Sequence, residues 1–350
     1  MMAAAGARVL VTGAAGFVGS HFAPYLARRG FEVRAIDVHP PAQPQGSGVD
    51  FRVQDIRERQ GLAQALEGVD TVFNLASVHL DVHATPVQFE SVNVKALEQL
   101  IESSAAARVR RVVQVSSVGV YGHVAHPPAA EDAPLNPDND YERTKAAGEL
   151  AARKAARRLG VDLVIVRPSW VYGVGCPRTA KLIRSLRKGR FFFIGRGNNL
   201  RHPIYIDDLS AGLELAAAAG AEVAGRTFNI AGPRWMTVAE MVGEFARALR
   251  VPPPALHVPR WLGLSAGWAA EQVSAVVGAE PPISRRTLAF FENDNAFDIG
   301  AARQALGFDP KTDLAEGVRA IIASSESVPP PAAAARADKA TPAMRFRGTG

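Results

Sequence analysis

Short runs of almost wholly apolar, β-branched residues recur through the first half of the chain, each separated from the next by a stretch of helix length. "ARVLVTGA" opens the series, and "EVRAID", "TVFNLA", "RVVQVSS" and "DLVIVRP" continue it. Strands with no polar face must be covered on both sides. Strands that alternate with helices join into a parallel sheet, so the fold class is α/β with a doubly wound sheet. The intervening stretches predict helices over 17–29, 61–66 and 92–106, and a fourth from 141 to about 159.

The pattern loosens after Pro168. "GRFFFIGRGNN", "VPPPALHVPRW" and "AEPPIS" are rich in Gly, Pro and aromatic residues. Helical stretches remain at 208–219 and 237–249, and "RTFNIAG" predicts one more strand. This organisation gives a nucleotide-binding domain over 1–168 and a smaller, partly discontinuous C-terminal domain over 169–327, mainly for substrate. Segments around 203–232 are expected to return to the first domain. The tail over 328–350 is Pro/Ala-rich without apolar periodicity and is expected to be disordered.

Bulk numbers narrow the function classes. The 350 residues hold 47% hydrophobic and 21% charged side chains, a globular balance. No apolar run approaches the roughly 20 residues that span a bilayer, and no signal peptide is read at the start. The single cysteine, Cys176, excludes an internal disulfide and any cysteine-cluster metal site. A cytoplasmic location is expected. Of the net charge of +6, the tail supplies +3, from Arg336, Lys339, Arg345 and Arg347 against Asp338. The body is only mildly basic, which favours a small anionic ligand over nucleic acid.

"VLVTGAAGFVGSHF" sets Gly13, Gly16 and Gly19 between a strand and a helix, with Phe17 and Val18 opening that helix. Glycines let the backbone turn tightly against a pyrophosphate, and the helix start offers free N–H groups and a positive dipole end. Asp37 ends the next strand, where a carboxylate accepts from adenosine ribose hydroxyls. No basic residue immediately follows it to pair a 2′-phosphate, so NAD is favoured over NADP. Asp55 and Ile56 follow the next β-like run; they could hold the adenine edge and face, or Asp55 could be a surface helix N-cap.

"YERTK" places Tyr141 and Lys145 on one helix face. An ammonium beside a phenol lowers the phenol pKa from about 10 and makes it a usable base. Spacing alone equally allows an exposed pair. Just upstream, Ser116 and Ser117 close a buried-looking strand, at the sheet edge where nucleotides bind or as plain strand-end caps.

Together "TGAAGFVG", Asp37, "NLA", "SSVGVYG" and "YERTK" resemble the extended short-chain dehydrogenase/reductase family, the NAD-dependent epimerase/dehydratases and 3β-hydroxysteroid-dehydrogenase-like enzymes. The resemblance runs on through "RPSWVYG", "RHPIYIDDL", "RTFNIAG" and "FDIGAARQALGF", over about residues 7–323. It implies a Rossmann-like fold, a bound NAD, Tyr141 as acid/base, Lys145 as its partner and as a ribose ligand, and Ser117 steadying the substrate oxygen. It places Leu75, Ala76, Ser77, Ser116 and Pro168 along the cofactor. It also implies a homodimer through the helices over 92–106 and 141–159.

For the substrate, the resemblance implies a nucleotide-sugar, with Arg201 on the diphosphate, His202 lining the pocket and Arg286, beside Arg285, as a second clamp or a surface group. Ser169 and Trp170 stand where the sugar-nucleotide pattern often carries Asn, a departure that favours a 3β-hydroxysteroid- or dihydroflavonol-type alcohol oxidoreductase. The segment "VPRWLGLSAGWAAEQVSAVV" is a packed helix, a greasy pocket wall or a membrane-touching face, though membrane contact is not expected. A non-catalytic NAD sensor is the third alternative; retention of both Tyr141 and Lys145 argues against it. The histidines, including His79 and His83, form no metal pattern, and Asp207 and Asp208 read as a helix cap, so no metal is expected.

Overall fold

The computed structural model describes residues 6–79, 84–262 and 290–327. The apolar runs become strands β1 (Arg8–Thr12), β2 (Glu32–Asp37), β3 (Val49–Val53), β4 (Thr71–Asn74), β5 (Arg111–Val115) and β6 (Asp162–Pro168). Between them lie helices α1 (Phe17–Arg28), α2 (Arg59–Ala65), α3 (Pro86–Glu90), α4 (Ala96–Ala106) and α5 (Asp140–Leu159). The stretch predicted as one helix over 92–106 is interrupted: Ser91–Lys95 forms a π-helical turn that runs into α4.

The second half adds β7 (Trp170–Tyr172), α6 (Pro177–Arg187), β8 (Phe193–Ile194), β9 (Leu200–Arg201), β10 (Pro203–Tyr205), α7 (Ile206–Ala218) and β11 (Thr227–Ile230). Strand β12 (Met236–Thr237), helix α8 (Val238–Ala248), strand β13 (His257–Val258) and helices α9 (Gly300–Leu306) and α10 (Leu314–Ser327) complete the described chain. Strand β11 returns to the main sheet, whose order is β11-β6-β5-β4-β1-β2-β3 with every pairing parallel. The order reverses between β1 and β4, which opens the crevice where such sheets take their ligands.

Both faces are covered, as continuous apolar strands require. Phe22 and Leu26 of α1 and Leu209 and Leu213 of α7 pack with Val9 and Val11 on one face. Leu62 of α2, Leu97 and Leu100 of α4 and Ala152 of α5 pack with Leu10 and Val112 on the other. Short pairs β7–β10, β9–β12 and β8–β13 form three small sheets in the second half.

One polar group locks this second half to the sheet and another ties two of its segments together. Arg111, fully buried at the start of β5, pairs with Asp162 at 2.6 Å. Its guanidinium also donates to the carbonyls of Ala216 at 3.1 Å and Gly220 at 2.8 Å, satisfying the end of α7. Asp208 accepts from the backbone N–H of Lys311 at 3.1 Å and Thr312 at 2.8 Å. It is therefore a tether rather than the expected helix cap, and the N-cap of α7 is Tyr205.

Candidate active site

Glycine builds the first wall. Gly13 has φ +68°, and a Cβ there would sit 2.6 Å from the Ala76 backbone N, so the turn rests directly on Leu75 and Ala76. A Cβ on Gly19 would lie 2.3 Å from the Gly13 carbonyl oxygen; its absence lets α1 start immediately under the turn. Gly16 is the N-cap of α1 and no side chain caps that helix, so its first-turn amides, at Phe17 and Val18, are suited to an anion. Asp37 stands beside them: one carboxylate oxygen accepts from Ala15 N at 3.0 Å and the other from His39 N at 3.1 Å. This cradle of small residues, uncapped amides and one carboxylate fits a dinucleotide.

The loop after β2 folds back onto the turn, where Gln45 is buried and its Nε2 donates to the Ala14 carbonyl at 2.7 Å. Its Oε1 is buried without a protein partner. Nothing in the Pro/Gly-rich loop sequence signals this contact. Asp55 is gripped by Arg57, at 2.5 Å from Nη2, and accepts from Arg57 N at 2.9 Å. It is not the N-cap of α2, which is Glu58. Ile56 is buried in the core between α2 and α4.

The second wall forms where β5 ends. Ser116 donates its N–H to the Val166 carbonyl at 2.7 Å, and its hydroxyl is buried without a protein partner. Ser117 accepts from Gly119 N at 3.0 Å and opens the 3₁₀ turn Val118–Tyr121. A Cβ on Gly119 would lie 3.0 Å from the Glu142 side chain, so this turn presses on the first turn of α5. Asn139 caps that helix by accepting from Glu142 N at 3.1 Å. Pro168 closes β6, paired with Ile230 of β11.

Helix α5 directs Lys145 inward, where its Nζ donates to the Val115 carbonyl at 2.7 Å. Burial pushes its pKa from 10.5 down to about 8, against the pull of Glu149 one turn further on. Glu149 is itself closed by a buried two-pronged pair with Arg167, at 2.9 and 2.7 Å, and Arg167 also donates to the Tyr121 hydroxyl at 2.6 Å. Tyr141 is half-buried, with its ring centroid 4.4 Å from that of His79. The four other tyrosines, Tyr25, Tyr121, Tyr172 and Tyr205, all have pKa values raised, first of all by burial.

Asn93, in the π-helical turn, joins the walls. It accepts from the Ser77 hydroxyl and from Val78 N, both at 3.0 Å, and donates to the Thr144 hydroxyl at 3.0 Å. Sequence reading passed over it, because helical periodicity does not reveal a π turn.

In the second half of the chain, Arg201 is buried and donates to the carbonyls of Asn293 at 2.6 Å and of Phe290, with the Phe290 ring 4.7 Å from the guanidinium. Burial lowers its pKa to about 10. His202 is buried with both nitrogens engaged: Nε2 with the Gly232 carbonyl at 2.9 Å, Nδ1 accepting from Phe297 N at 3.4 Å. Burial lowers its pKa to about 4, so it is neutral and braces the backbone. Trp170 stacks on Tyr172, centroids 6.0 Å apart. Arg285, Arg286, His83, the tail over 328–350 and most of the "VPRWLGLSAGWAAEQVSAVV" segment lie outside the described residues. No helix among the described residues is long and apolar enough to cross a membrane.

Comparisons with known proteins agree with this architecture. The chain is 27% identical over 316 residues to N-acetyl-alpha-D-glucosaminyl-diphospho-ditrans,octacis-undecaprenol 4-epimerase of Escherichia coli O157:H7, covering 89% of this chain and 92% of that one. It is 26% identical to the mouse (Mus musculus) sterol-4-alpha-carboxylate 3-dehydrogenase, decarboxylating, covering 90% of each. Among solved structures, MoeE5 in complex with UDP-glucuronic acid and NAD superposes with a TM-score of 0.74 at 28% identity, covering 92% of this chain and all of that one. A family model described as NAD dependent epimerase/dehydratase matches residues 9–231, almost the whole span from β1 to β11. The chain therefore belongs to the NAD-dependent epimerase/dehydratase family and is an enzyme that works with NAD.

Proposed function

We propose that the enzyme moves a hydride at a ring alcohol of a nucleotide-activated sugar, with Tyr141 as acid/base, Lys145 as the cation that keeps its phenol ionisable and Ser117 on the reacting oxygen. The observation that carries this reading is Lys145, buried one helical turn from Tyr141 and held on the Val115 carbonyl at 2.7 Å. An ammonium kept dry favours a nearby anion strongly. NAD supplies the hydride acceptor; Gly13, Gly16, Gly19, Asp37 and the start of α1 would hold it. The protein's part is then to take the hydroxyl proton on Tyr141 while Ser117 donates to the developing carbonyl. The UDP-sugar complexes of MoeE5 support the substrate class.

A second reading, a sterol-type alcohol dehydrogenase, is favoured by Arg201. Its donors engage backbone carbonyls of Phe290 and Asn293, leaving a diphosphate to compete with them. Trp170, in place of Asn, adds an apolar surface. Thermal-shift screening of the NAD-loaded protein separates the two: stabilisation by a UDP-, GDP- or dTDP-sugar, lost in Arg201→Ala, supports the sugar. Stabilisation by 3-hydroxysteroids alone overturns it. A cytoplasmic homodimer through α4 and α5 completes the proposal, supported by the exposed Leu150 on α5 and Val87 on α3.

A further inference from the structure

Tyr141 has a ring neighbour that the reaction scheme above does not use. His79 lies in the segment after β4, three residues beyond Ala76, and its imidazole is exposed. Its ring centroid is 4.4 Å from that of Tyr141, with the planes tilted by 50°. This juxtaposition is built. Asn93 accepts from Val78 N and donates to the Val78 carbonyl at 3.3 Å, fixing the peptide just before His79. The same Asn93 amide donates to Thr144, whose hydroxyl donates in turn to the Tyr141 carbonyl at 3.0 Å. One side chain thus ties the backbone carrying His79 to the helical turn carrying Tyr141.

We propose that His79 is a positioning residue for the acid/base step, holding the Tyr141 ring from its solvent side and donating an imidazole N–H to the phenolate oxygen. Ring centres this close bring an imidazole nitrogen within reach of the phenol oxygen by side-chain torsion alone. The phenolate then has two supports, the buried Lys145 ammonium below and the imidazole above. A hydrogen bond to the charged form favours that form. The other charged groups at this turn have their own partners. Glu142 accepts from Asp138 N at 2.9 Å, and Arg143 pairs with Asp140. Glu149 is closed by Arg167. Ser117, from the β5 side, is neutral. The inference rests on the reading of Tyr141 as the acid/base residue.

Near-ultraviolet titration of the apo protein tests it without a substrate. The four other tyrosines have raised pKa values, so a phenolate step at lower pH belongs to one residue. Loss of that step in Tyr141→Phe identifies it, and a wild-type curve with no such step removes the acid/base reading itself. With the step identified, His79→Ala and His79→Phe are both expected to move it up by about one pH unit, the scale of one charge-assisted hydrogen bond. Phenylalanine keeps a ring against the phenol but has no N–H. A His79→Phe curve that overlays the wild type, or an unmoved step in both variants, overturns the proposal.

Discussion

Replacing Lys145 by methionine should make the fold more stable at neutral pH while removing its chemistry. The ammonium is buried, and burial lowers its pKa from 10.5 to about 8. At about 1.36 kcal/mol per pH unit, keeping the charged form inside costs the fold about 3 kcal/mol. Methionine fills a similar volume without charge. It forfeits the hydrogen bond to the Val115 carbonyl, a loss of about 1–2 kcal/mol. The net gain at neutral pH is about 1–2 kcal/mol, or roughly 1–3 °C in Tm for a chain of this size. The pH dependence is the sharper observable. Unfolded, Lys145 keeps its proton up to about pH 10.5; folded, it releases it near 8. Between those values the unfolded state binds more protons, so wild-type stability rises with pH. The penalty is complete below the folded value and gone above the unfolded one, and Lys145→Met lacks this component of the rise. Urea unfolding of both apo proteins at about pH 7, 9 and 10.5 measures the gap. A variant less stable than wild type at neutral pH, with a gap indifferent to pH, would show that the ammonium is not desolvated and refute the reasoning.

Three further substitutions probe the remaining parts of the site. Gly19→Ala places a methyl 2.3 Å from the Gly13 oxygen and 2.6 Å from the Ala14 Cα, both backbone. Overpacking there should cost about 1–3 kcal/mol and weaken NADH binding more than tenfold in a fluorescence titration. Asp37→Ala removes the acceptor beside the glycine turn; calorimetry should find NAD binding weakened by about 1.5–3 kcal/mol and the preference over NADP reduced. Glu149→Gln leaves the Arg167 guanidinium buried against a neutral amide. Its urea midpoint should fall by an amount equivalent to about 3–5 kcal/mol, with much of it recovered when Arg167→Met is added; a single-variant loss below about 1 kcal/mol contradicts the pairing.

The strands were legible because burial on both faces leaves a plain mark. "EVRAID" and "DLVIVRP" end where β2 and β6 end. "TVFNLA" and "RVVQVSS" run past their strands by two residues, Leu75 and Ala76 in the first and Ser116 and Ser117 in the second. Leu75 and Ala76 stay apolar because the glycine turn rests on them, although the ladder has stopped. The two- and three-residue strands β7 to β10, β12 and β13 left no pattern, since each depends on a distant partner. Arg201 shows a different limit. Its motif locates it in the chain, but the carbonyls of Phe290 and Asn293 that engage its donors come from some ninety residues away. Gln45 and Asn93 act through single side chains whose partners are equally remote, and periodicity records nothing of that kind.

One row of polar residues joins the glycine turn to Lys145. Thr12, Asn74 and Gln114 stand at matching registers of β1, β4 and β5, on the face covered by α4 and α5. Thr12 Oγ1 donates to Asn74 Oδ1 at 2.5 Å, and Asn74 Nδ2 donates to Gln114 Oε1 at 2.6 Å. Gln114 Nε2 donates to the Val115 carbonyl at 3.0 Å, the same oxygen that takes Lys145 Nζ. At the other end, Thr12 Oγ1 accepts from Ala76 N at 3.2 Å, beneath the glycine turn. Area alone would favour apolar side chains at these positions. A buried amide is tolerated only with its donors and acceptors matched, and here each one along the row is. The direction of the row is therefore fixed: reversing either amide would set donor against donor or acceptor against acceptor. At one end of the row the Val115 oxygen takes both Gln114 and Lys145, and at the other the Thr12 oxygen accepts from the backbone under Gly13. The sheet thus connects the ammonium to the glycine turn through one continuous hydrogen-bonded row, the kind of fixed polar framework that electrostatic preorganisation requires.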